Sequence, residues 1–294
     1  MEHLQGKGIK FIDVDFSNKT QLISALDAAP EFDFIIHNAG ITKALRKKTF
    51  FEVNYQYTKN LVEAISQSHQ NPLRFVFISS LSAGGPGISD CSSPISIFNP
   101  SQPISNYGLS KLQAEQFISR QSALPFLIIR PTAVFGPGDK DFFNVVKLIH
   151  KHWDFMIGRH AQILSFIYVK DLSRAIFNLL EVSAINKTYI ASDGKAYSKT
   201  DMSNVIAAIM QKPVHRVYVP LIMAKIIALF SEGISRVSGK PTVLSREKIK
   251  EFAAPNWNCD ISSLENDINF KARFSLEQGL KETINWYRDN GWIK

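Results

Sequence analysis

Two short apolar segments, residues 74–78 and 126–130, most constrain what this chain can fold into. Both are rich in aromatic and β-branched side chains and both are bounded by turn residues, which is typical of strands buried on both faces of a parallel sheet. Between them lie a loop rich in Gly, Pro and Ser and then a helical segment that opens at Asn106. A strand, a helix and a strand in this order predict an α/β fold with a parallel sheet.

The polar residues around these strands define a candidate active site. Ser80 follows the first strand at its carboxyl end, where open α/β folds place their ligands. Tyr107 and Lys111 are four residues apart and therefore share one face of a helix. A nearby ammonium lowers the pKa of a phenol from about 10 toward neutrality. Tyr107 would then exchange a proton with a substrate whose oxygen Ser80 holds.

A second Tyr-x-x-x-Lys pair, Tyr55 and Lys59, shows that this spacing alone is a weak signal. No strand ending in serine precedes it, and it falls within the helical pattern of residues 51–65. We therefore interpret the second pair as a contact on a helix surface and the first pair as functional.

Six segments follow one another in the order found in a known enzyme family: residues 34–40, 54–63, 75–80, 107–111, 130–137 and 166–171. On these motifs the chain resembles the extended short-chain dehydrogenase/reductase family, also called the NAD-dependent epimerase/dehydratase family. The resemblance implies a Rossmann-type doubly wound parallel sheet over residues 1–195. It implies a smaller, mostly helical substrate domain over residues 196–294, with NAD or NADP as cofactor and a small molecule as substrate.

The resemblance also assigns roles to the candidate site. Tyr107 would exchange a proton with a substrate hydroxyl while a hydride passes to or from the nicotinamide. Lys111 would lower the pKa of the phenol and hold the ribose, and Ser80 would orient the substrate oxygen.

Further residues match family positions that contact the dinucleotide. Asn38, Ala39 and Gly40 would line it, because small residues let a backbone approach a cofactor closely. Asn54 would touch the cofactor and hold the active-site loop. His37, which directly precedes Asn38, is interpreted as structural. The matches at the nicotinamide carboxamide are Pro131 and Thr132.

The segment over residues 9–16 predicts a strand that ends at a further family position. Asp15 and Phe16 match the pair at the adenine ring, where the carboxylate accepts a hydrogen bond from the exocyclic amine. Asp15 is equally well placed to cap a helix that begins within residues 17–20. The sequence leaves both roles of Asp15 open.

The main departure from the family lies at the front of the chain. A dinucleotide-binding fold needs a glycine-rich turn between its first strand and first helix, where the pyrophosphate meets free backbone amides. The early glycines are Gly6, Gly8 and Gly40, and none opens a helical pattern. We therefore expect residues 9–16 to be the third strand of the family fold, in a version truncated at its N-terminus by about 40 residues.

Composition excludes several classes of function. Hydrophobic residues make up 45% of the chain and charged residues 20%, an ordinary globular profile. The net charge of +8 is scattered and accompanies no nucleic-acid-binding motif, so we expect no nucleic-acid partner but attraction of phosphate-bearing ligands. Cys91 and Cys259 are far apart and no signal segment is present, which favours a cytoplasmic location. No grouping of residues has metal-ligand spacing.

The C-terminal third predicts mostly helices, over residues 201–210, 221–233, 245–252 and 276–290. Its longest apolar run, residues 217–230, is interrupted by Pro220 and Lys225 and is too short for a membrane span. We interpret this run as a buried or amphipathic helix, with contact to a membrane surface as the lesser alternative. Asp171 is expected to cap the N-terminus of an amphipathic helix that runs to Leu180. The aromatic residues predicted as core are Trp257, Trp286, Tyr287 and Trp292.

Three functions stay open at this point. Family frequency favours an epimerase or dehydratase acting on a nucleotide-linked sugar. The unusual loop over residues 81–105 and the apolar run over residues 217–230 favour a 3β-hydroxysteroid-dehydrogenase-like reaction on an apolar alcohol. The missing glycine turn favours a non-catalytic binding protein, against which stand Ser80, Tyr107 and Lys111. The resemblance further implies a homodimer.

Overall fold

The computed structural model describes residues 8–87, 93–121, 123–242 and 244–293. Its strands are β1 (Phe34–His37), β2 (Arg74–Ile78), β3 (Phe126–Pro131), β4 (Ala133–Phe135), β5 (Trp153–Ile157), β6 (Ile163–Leu164), β7 (Phe166–Tyr168), β8 (Lys187–Ala191), β9 (Tyr197–Ser198) and β10 (His215–Val219). Its α-helices are α1 (Lys19–Asp27), α2 (Lys47–Phe50), α3 (Tyr57–Gln67), α4 (Leu81–Gly84), α5 (Asn106–Ile118), α6 (Lys140–His150), α7 (Val169–Glu181), α8 (Asp201–Met210), α9 (Leu221–Ser238), α10 (Arg246–Ala253), α11 (Ser262–Ile268) and α12 (Leu276–Asp289). A π-helical segment, Phe51–Gln56, joins α2 to α3.

Four parallel strands form the central sheet, in the order β1, β2, β3, β8. Every residue of β2 and β3 is buried, and Phe75 of β2 lies opposite Phe126 of β3. Burial on both faces explains why these two segments are apolar throughout and do not alternate with polar residues. The two predicted strands and the Rossmann-type α/β fold are confirmed.

Helices cover both faces of this sheet, because alternate residues of a strand point to opposite sides. Phe75 and Phe77 pack with side chains of α1, α3 and α5 in one core cluster. Val76 and Ile78 pack with side chains of α7 and α11 in another. The carboxyl ends of the strands are therefore the place that this architecture leaves for a site.

Residues 9–16 are not a strand, so that prediction is wrong. They run as irregular backbone, and the side chains of Ile9, Phe11 and Ile12 are about half exposed. A strand exists only where ladder hydrogen bonds join it to a neighbour. No described strand pairs with this segment.

Two predicted helix caps lie elsewhere. Asn18, and not Asp15, caps α1, since its side-chain oxygen accepts a hydrogen bond from the first turn at 3.1 Å. Asp171 is the third residue of α7, inside the helix, and a cap must precede it. Its buried carboxylate instead accepts hydrogen bonds from the backbone amides of Arg273 and Phe274 at 3.0 Å. Asp171 therefore fixes the C-terminal chain against α7.

A third core cluster joins distant parts of the chain. It contains Phe135 and Tyr168 from the β4–β7 pair together with Ile206 of α8 and Ile284 of α12. The cluster thus takes side chains from both sides of residue 195. The four aromatic residues that the sequence predicts as core all pack in the first or third cluster: Trp257, Trp286, Tyr287 and Trp292.

The predicted C-terminal helices are present, but α9 differs from its prediction. It begins at Leu221, and residues 217–219 belong to strand β10. Most of its large apolar side chains are exposed, so the interpretation as a buried helix is wrong. In the described part of the chain, the helices all fall short of the length and apolar character needed to cross a bilayer.

Candidate active site

The helix that carries Tyr107 and Lys111 begins where the sequence predicts. Ser105 caps α5, and its hydroxyl oxygen accepts a hydrogen bond from the Gly108 amide at 3.1 Å. The helix lies tightly on α4, since a Cβ on Gly108 would come within 2.2 Å of the Ser82 carbonyl oxygen. This close approach brings the first turn of α5 to the carboxyl end of β2.

Ser80 and Tyr107 are neighbours at this junction. The pKa of Tyr107 is raised to about 12, mainly by burial, with the charge of Glu251 acting in the same direction and the Ser80 hydroxyl acting against it. The expectation that Lys111 brings the pKa of the phenol toward neutrality is therefore not met: burial is the largest cause of the shift, and Lys111 is not among its causes. At neutral pH the phenol keeps its proton.

The Lys111 ammonium is buried between the ends of two strands. Its Nζ donates to the Ile78 carbonyl oxygen at 2.8 Å and lies 4.8 Å from the centroid of the Phe77 ring. Burial lowers the pKa of Lys111 to about 8, and the Glu115 carboxylate opposes that shift. A Cβ on Gly40 would lie 3.2 Å from Nζ, so the backbone that leaves β1 reaches the same ammonium.

Asn54 is fully buried and ties this backbone to α5. Its Oδ1 accepts a hydrogen bond from the Ile41 amide at 2.8 Å. Its Nδ2 donates to the Ile41 carbonyl oxygen and to the Ser110 hydroxyl, both at 3.0 Å. The structure thus brings together Gly40, Asn54 and Lys111, with the exposed Asn38 and Ala39 immediately before Gly40.

Asp15 and Phe16 lie beside the end of β1. The ring of Phe16 stacks on the ring of the buried His37 with centroids 6.0 Å apart. The Phe16 carbonyl oxygen accepts a hydrogen bond from Asn60 Nδ2 at 2.9 Å. Asp15 is exposed, and hydrogen bonds from Ser17 lower the pKa of its carboxyl group.

Pro131 and Thr132 close strand β3 and are both buried. The amide and the hydroxyl of Thr132 donate to the Ala191 carbonyl oxygen at 3.0 and 3.2 Å. The described polar contacts of Thr132 thus join it to β8 and not to the catalytic candidates.

A buried ion pair that sequence analysis missed underlies the site. The Glu115 carboxylate accepts hydrogen bonds from Arg130 Nε at 2.9 Å and Nη2 at 2.5 Å, and from the Ser79 hydroxyl. It thereby links α5 to the ends of β2 and β3. Glu115 continues the four-residue spacing of Tyr107 and Lys111, but this spacing alone does not predict its pairing with Arg130.

Two carboxylates of α10 hold the start of α5. Glu251 Oε1 accepts a hydrogen bond from the Ser105 hydroxyl at 2.7 Å, and Glu247 Oε2 accepts one from the Asn106 amide at 3.1 Å. Each contact joins residues more than 140 positions apart. No local sequence pattern reveals a contact of that range.

The remaining candidates behave as structural elements. Tyr55 packs edge-on against Phe117, and Lys59 Nζ lies 3.7 Å from Glu63, as expected for a helix surface. The predicted loop over residues 81–105 begins as α4, and its residues 88–92, including Cys91, lie outside the described residues. Within the described ranges no cluster of His, Cys, Asp and Glu is placed to hold a metal ion.

The fold and the Ser80–Tyr107–Lys111 arrangement define a Rossmann-type protein of the extended short-chain dehydrogenase/reductase class. The chain belongs to the NAD dependent epimerase/dehydratase family, whose model matches residues 1–191.

The names of the curated relatives describe some enzymes that act on sugars and others that act on lipids. UDP-glucose 4-epimerase of Vibrio cholerae is 28% identical over 239 residues, which cover 79% of this chain and 68% of the relative. Ceramide reductase of Caulobacter vibrioides is 23% identical, with coverages of 89% and 76%. Sterol-4-alpha-carboxylate 3-dehydrogenase of Schizosaccharomyces pombe is 23% identical, with coverages of 86% and 76%.

Solved structures share the fold. UDP-glucuronic acid 4-epimerase from Bacillus cereus, in complex with NAD, superposes with a TM-score of 0.76 at 20% identity and covers 98% of this chain and 85% of that one. RMD from Pseudomonas aeruginosa, complexed with NADPH, gives a TM-score of 0.75 at 17% identity, with coverages of 98% and 95%.

Proposed function

We propose that this chain is an NAD(P)-dependent epimerase, dehydratase or dehydrogenase whose catalytic residues are Ser80, Tyr107 and Lys111. The observation that carries the proposal is the position of the Tyr107 phenol beside Ser80, on the helix that also presents the buried Lys111. A nucleotide-linked sugar is the favoured substrate, which the match to a UDP-glucose 4-epimerase supports.

The residues present fit the nucleoside parts of a nicotinamide dinucleotide at the carboxyl end of β1, while none of them forms the glycine-rich turn expected for the pyrophosphate. A Cβ on Gly40 would crowd Asn54 and Lys111, so glycine keeps this approach open for a ligand. A lysine ammonium has three donors, and Ile78 accepts from Lys111 within the described residues. We assign the dinucleotide to Asp15, Phe16, Asn38, Ala39, Gly40, Asn54, Tyr107, Lys111, Pro131 and Thr132. When bound, it would supply the acceptor or donor of the hydride.

Tyr107 and Ser80 have separate roles: Tyr107 donates the proton, and Ser80 holds the substrate oxygen. With a pKa of about 12, the Tyr107 phenol is protonated at neutral pH and is ready to donate its proton to a substrate carbonyl oxygen. The Ser80 hydroxyl, which lies beside that phenol, would hold the same oxygen in line. Lys111, with a pKa of about 8, is mostly charged at pH 7 and would bind ribose hydroxyls.

A second candidate function is a 3β-hydroxysteroid-dehydrogenase-like reaction on an apolar alcohol. The exposed apolar side chains of α9 favour it, and the relatives named ceramide reductase and sterol-4-alpha-carboxylate 3-dehydrogenase support it. The same three residues would carry that reaction.

The test compares Tyr107→Phe with Tyr55→Phe, which removes the hydroxyl from the second Tyr-x-x-x-Lys pair. Turnover would be measured on a panel of UDP-sugars and 3β-hydroxysteroids, and dinucleotide affinity by calorimetry. We expect Tyr107→Phe to lower kcat about 10²–10⁴-fold, because the proton donor is lost. Dinucleotide affinity should stay within about twofold, and Tyr55→Phe should match the wild type.

Equal turnover by the wild type and Tyr107→Phe would overturn the catalytic assignment. A wild-type chain that binds neither NAD nor NADP would contradict the proposal altogether and favour a non-catalytic binding protein.

A further inference from the structure

Helix α9 carries its large apolar side chains on the outside. Its inner face is made of small residues, among which Ala224, Ala228 and Ser235 are buried. At 100° per residue the opposite face is centred near Val237. Seven side chains on that face are 48–92% exposed: Ile222, Met223, Ile226, Leu229, Phe230, Ile234 and Val237. A helix that only covers a core has the reverse distribution, so this face marks a contact site.

The chain around this face holds about half of the net positive charge. Residues 211–250 contain eight lysines and arginines and two glutamates, and Arg216 and Lys248 pair with Asp154 and Glu251 from outside this segment, which leaves +4 against +8 for the whole chain. Lys225 and Arg236 lie on α9 itself, eleven residues or about three turns apart, along one edge of the apolar face. Glu232 is paired with Arg246, whose Nε lies 2.9 Å from the carboxylate.

We propose that α9 docks on an anionic lipid membrane. The helix would lie in the plane of the interface, with its apolar face at the boundary of the acyl chains and its basic residues among the headgroups. Lys225, Glu232 and Arg236 interrupt the apolar sequence, in keeping with a helix that lies on a bilayer and does not cross it.

A neighbouring sheet carries two more exposed aromatic side chains, on the sheet face that packs against α9. Strands β5 and β10 pair in parallel, and alternation places Trp153 and Phe155 on the sheet face of Ile157. Ile157 packs against the buried residues of α9. Trp153 and Phe155 are 45% and 50% exposed, with ring centroids 6.1 Å apart. Tryptophan is a preferred residue at the level of lipid headgroups.

Charge decides between a membrane and a second copy of the chain. A symmetric dimer through α9 would set two segments of about +4 against each other, because an isologous interface pairs a patch with itself. An anionic lipid surface offers the opposite charge over the same area.

The experiment is flotation of the purified full chain with vesicles of phosphatidylcholine, with or without phosphatidylglycerol. The docking variant is Phe230→Glu with Ile234→Glu. Its control is Phe177→Glu, which changes a phenylalanine on α7 with a similar exposure, 65% against 70%. The wild type and the control should float with the anionic vesicles, and the docking variant should stay at the bottom.

Charge is tested by Lys225→Gln with Arg236→Gln. Each basic side chain near the surface contributes about 1 kcal/mol, or about fivefold in binding. Removing both charges should therefore weaken vesicle binding about 25-fold. About 0.5 M salt should weaken wild-type binding as well, since the Debye length falls to about 4 Å.

Two outcomes would overturn the proposal. One is a wild-type chain that does not float, or that floats no better than the docking variant. The other is a wild-type dimer that the docking variant converts to a monomer without any vesicle binding, which would assign the face to a second copy. Neither readout depends on enzymatic activity, so the result is independent of the proposed reaction.

Discussion

His37 is a histidine held neutral inside the sheet. The Thr58 hydroxyl donates to the Asn54 carbonyl oxygen at 2.8 Å, so it accepts the hydrogen bond from His37 Nε2 at 2.9 Å. Burial lowers the pKa of His37 to about 3, and the charge of Lys111 contributes to the same shift. A proton on this ring would have to be accommodated beside an ammonium in the core.

We predict that His37 makes the protein less stable in acid. Its pKa is 6.5 in the unfolded chain and about 3 in the folded one, so between these values the unfolded chain binds more protons. Stability is full above pH 6.5 and falls as the pH decreases toward 3. From pH 6.5 to about 4.5 the loss is at most about 2.7 kcal/mol, at 1.36 kcal/mol per pH unit.

Denaturant titrations at pH 6.5 and at about pH 4.5 measure this effect. The difference in unfolding free energy should shrink in His37→Gln and persist in the control His160→Gln, which changes an exposed histidine. An unchanged difference in His37→Gln would show that other groups cause the acid sensitivity.

At the scale of single residues, the sequence predicts the helix face on which a side chain lies better than it predicts the pKa of that side chain. The spacing of Tyr107 and Lys111 was enough to place both on one helix face, because helical periodicity is local. The pKa of Tyr107 could not be predicted, because it depends on burial and on Glu251, which only the tertiary fold brings near.

Among the elements, the contact between α4 and α5 sets the geometry of the site. Gly108 allows α5 to lie against the Ser82 carbonyl group, where a Cβ would come within 2.2 Å. Since α4 follows Ser80 and α5 carries Tyr107, the distance between the two helices sets the distance between those side chains.

We predict that Gly108→Ala lowers kcat about 10²-fold, because α5 must move by about 1 Å and misplaces the phenol. The control is Gly233→Ala on α9, where an added Cβ meets nothing within 4 Å. That change should leave kcat alone and raise the unfolding free energy by about 0.5–1 kcal/mol. Turnover on the substrate found in the panel, with thermal unfolding, gives both readouts. Full activity in Gly108→Ala would mean that the helix contact does not position Tyr107.

Elements were predictable where their pattern is self-contained. Continuous apolar runs identified β2 and β3, because a strand buried on both faces needs no polar residues. The same criterion failed over residues 9–16, since an apolar run becomes a strand only beside a partner. The apolar run of α9 also gave a wrong prediction of burial, because apolar periodicity does not show which face of a helix packs against the rest of the protein.

On the scale of the whole molecule, the C-terminal chain completes the core of the sheet. Leu264 of α11 and Phe270 are fully buried in the cluster that contains Ile129 of β3 and Tyr189 of β8. The Asp171 carboxylate holds the adjoining backbone from α7. The sheet and the C-terminal segment therefore cannot separate without exposing a shared core.

We predict one cooperative unfolding transition for the described fold. Leu264→Ala should lower the unfolding free energy by about 2–5 kcal/mol, the usual range for a buried leucine. Tryptophan fluorescence and far-UV circular dichroism should report the same midpoint before and after the change. Val237→Ala, at a side chain that is 92% exposed, should stay within about 0.5 kcal/mol of the wild type. Midpoints that separate in Leu264→Ala would show two independently stable parts.

Helix α10 connects the exposed helix α9 with the candidate active site. Its Ile249 packs on the inner face of α9, and its Glu251 accepts a hydrogen bond at the start of α5. The charge of Glu251 also raises the pKa of Tyr107. Helix α10 thus contacts both the outer helix α9 and the first turn of the helix that carries Tyr107, so the position of the phenol and the position of α9 depend on the same element.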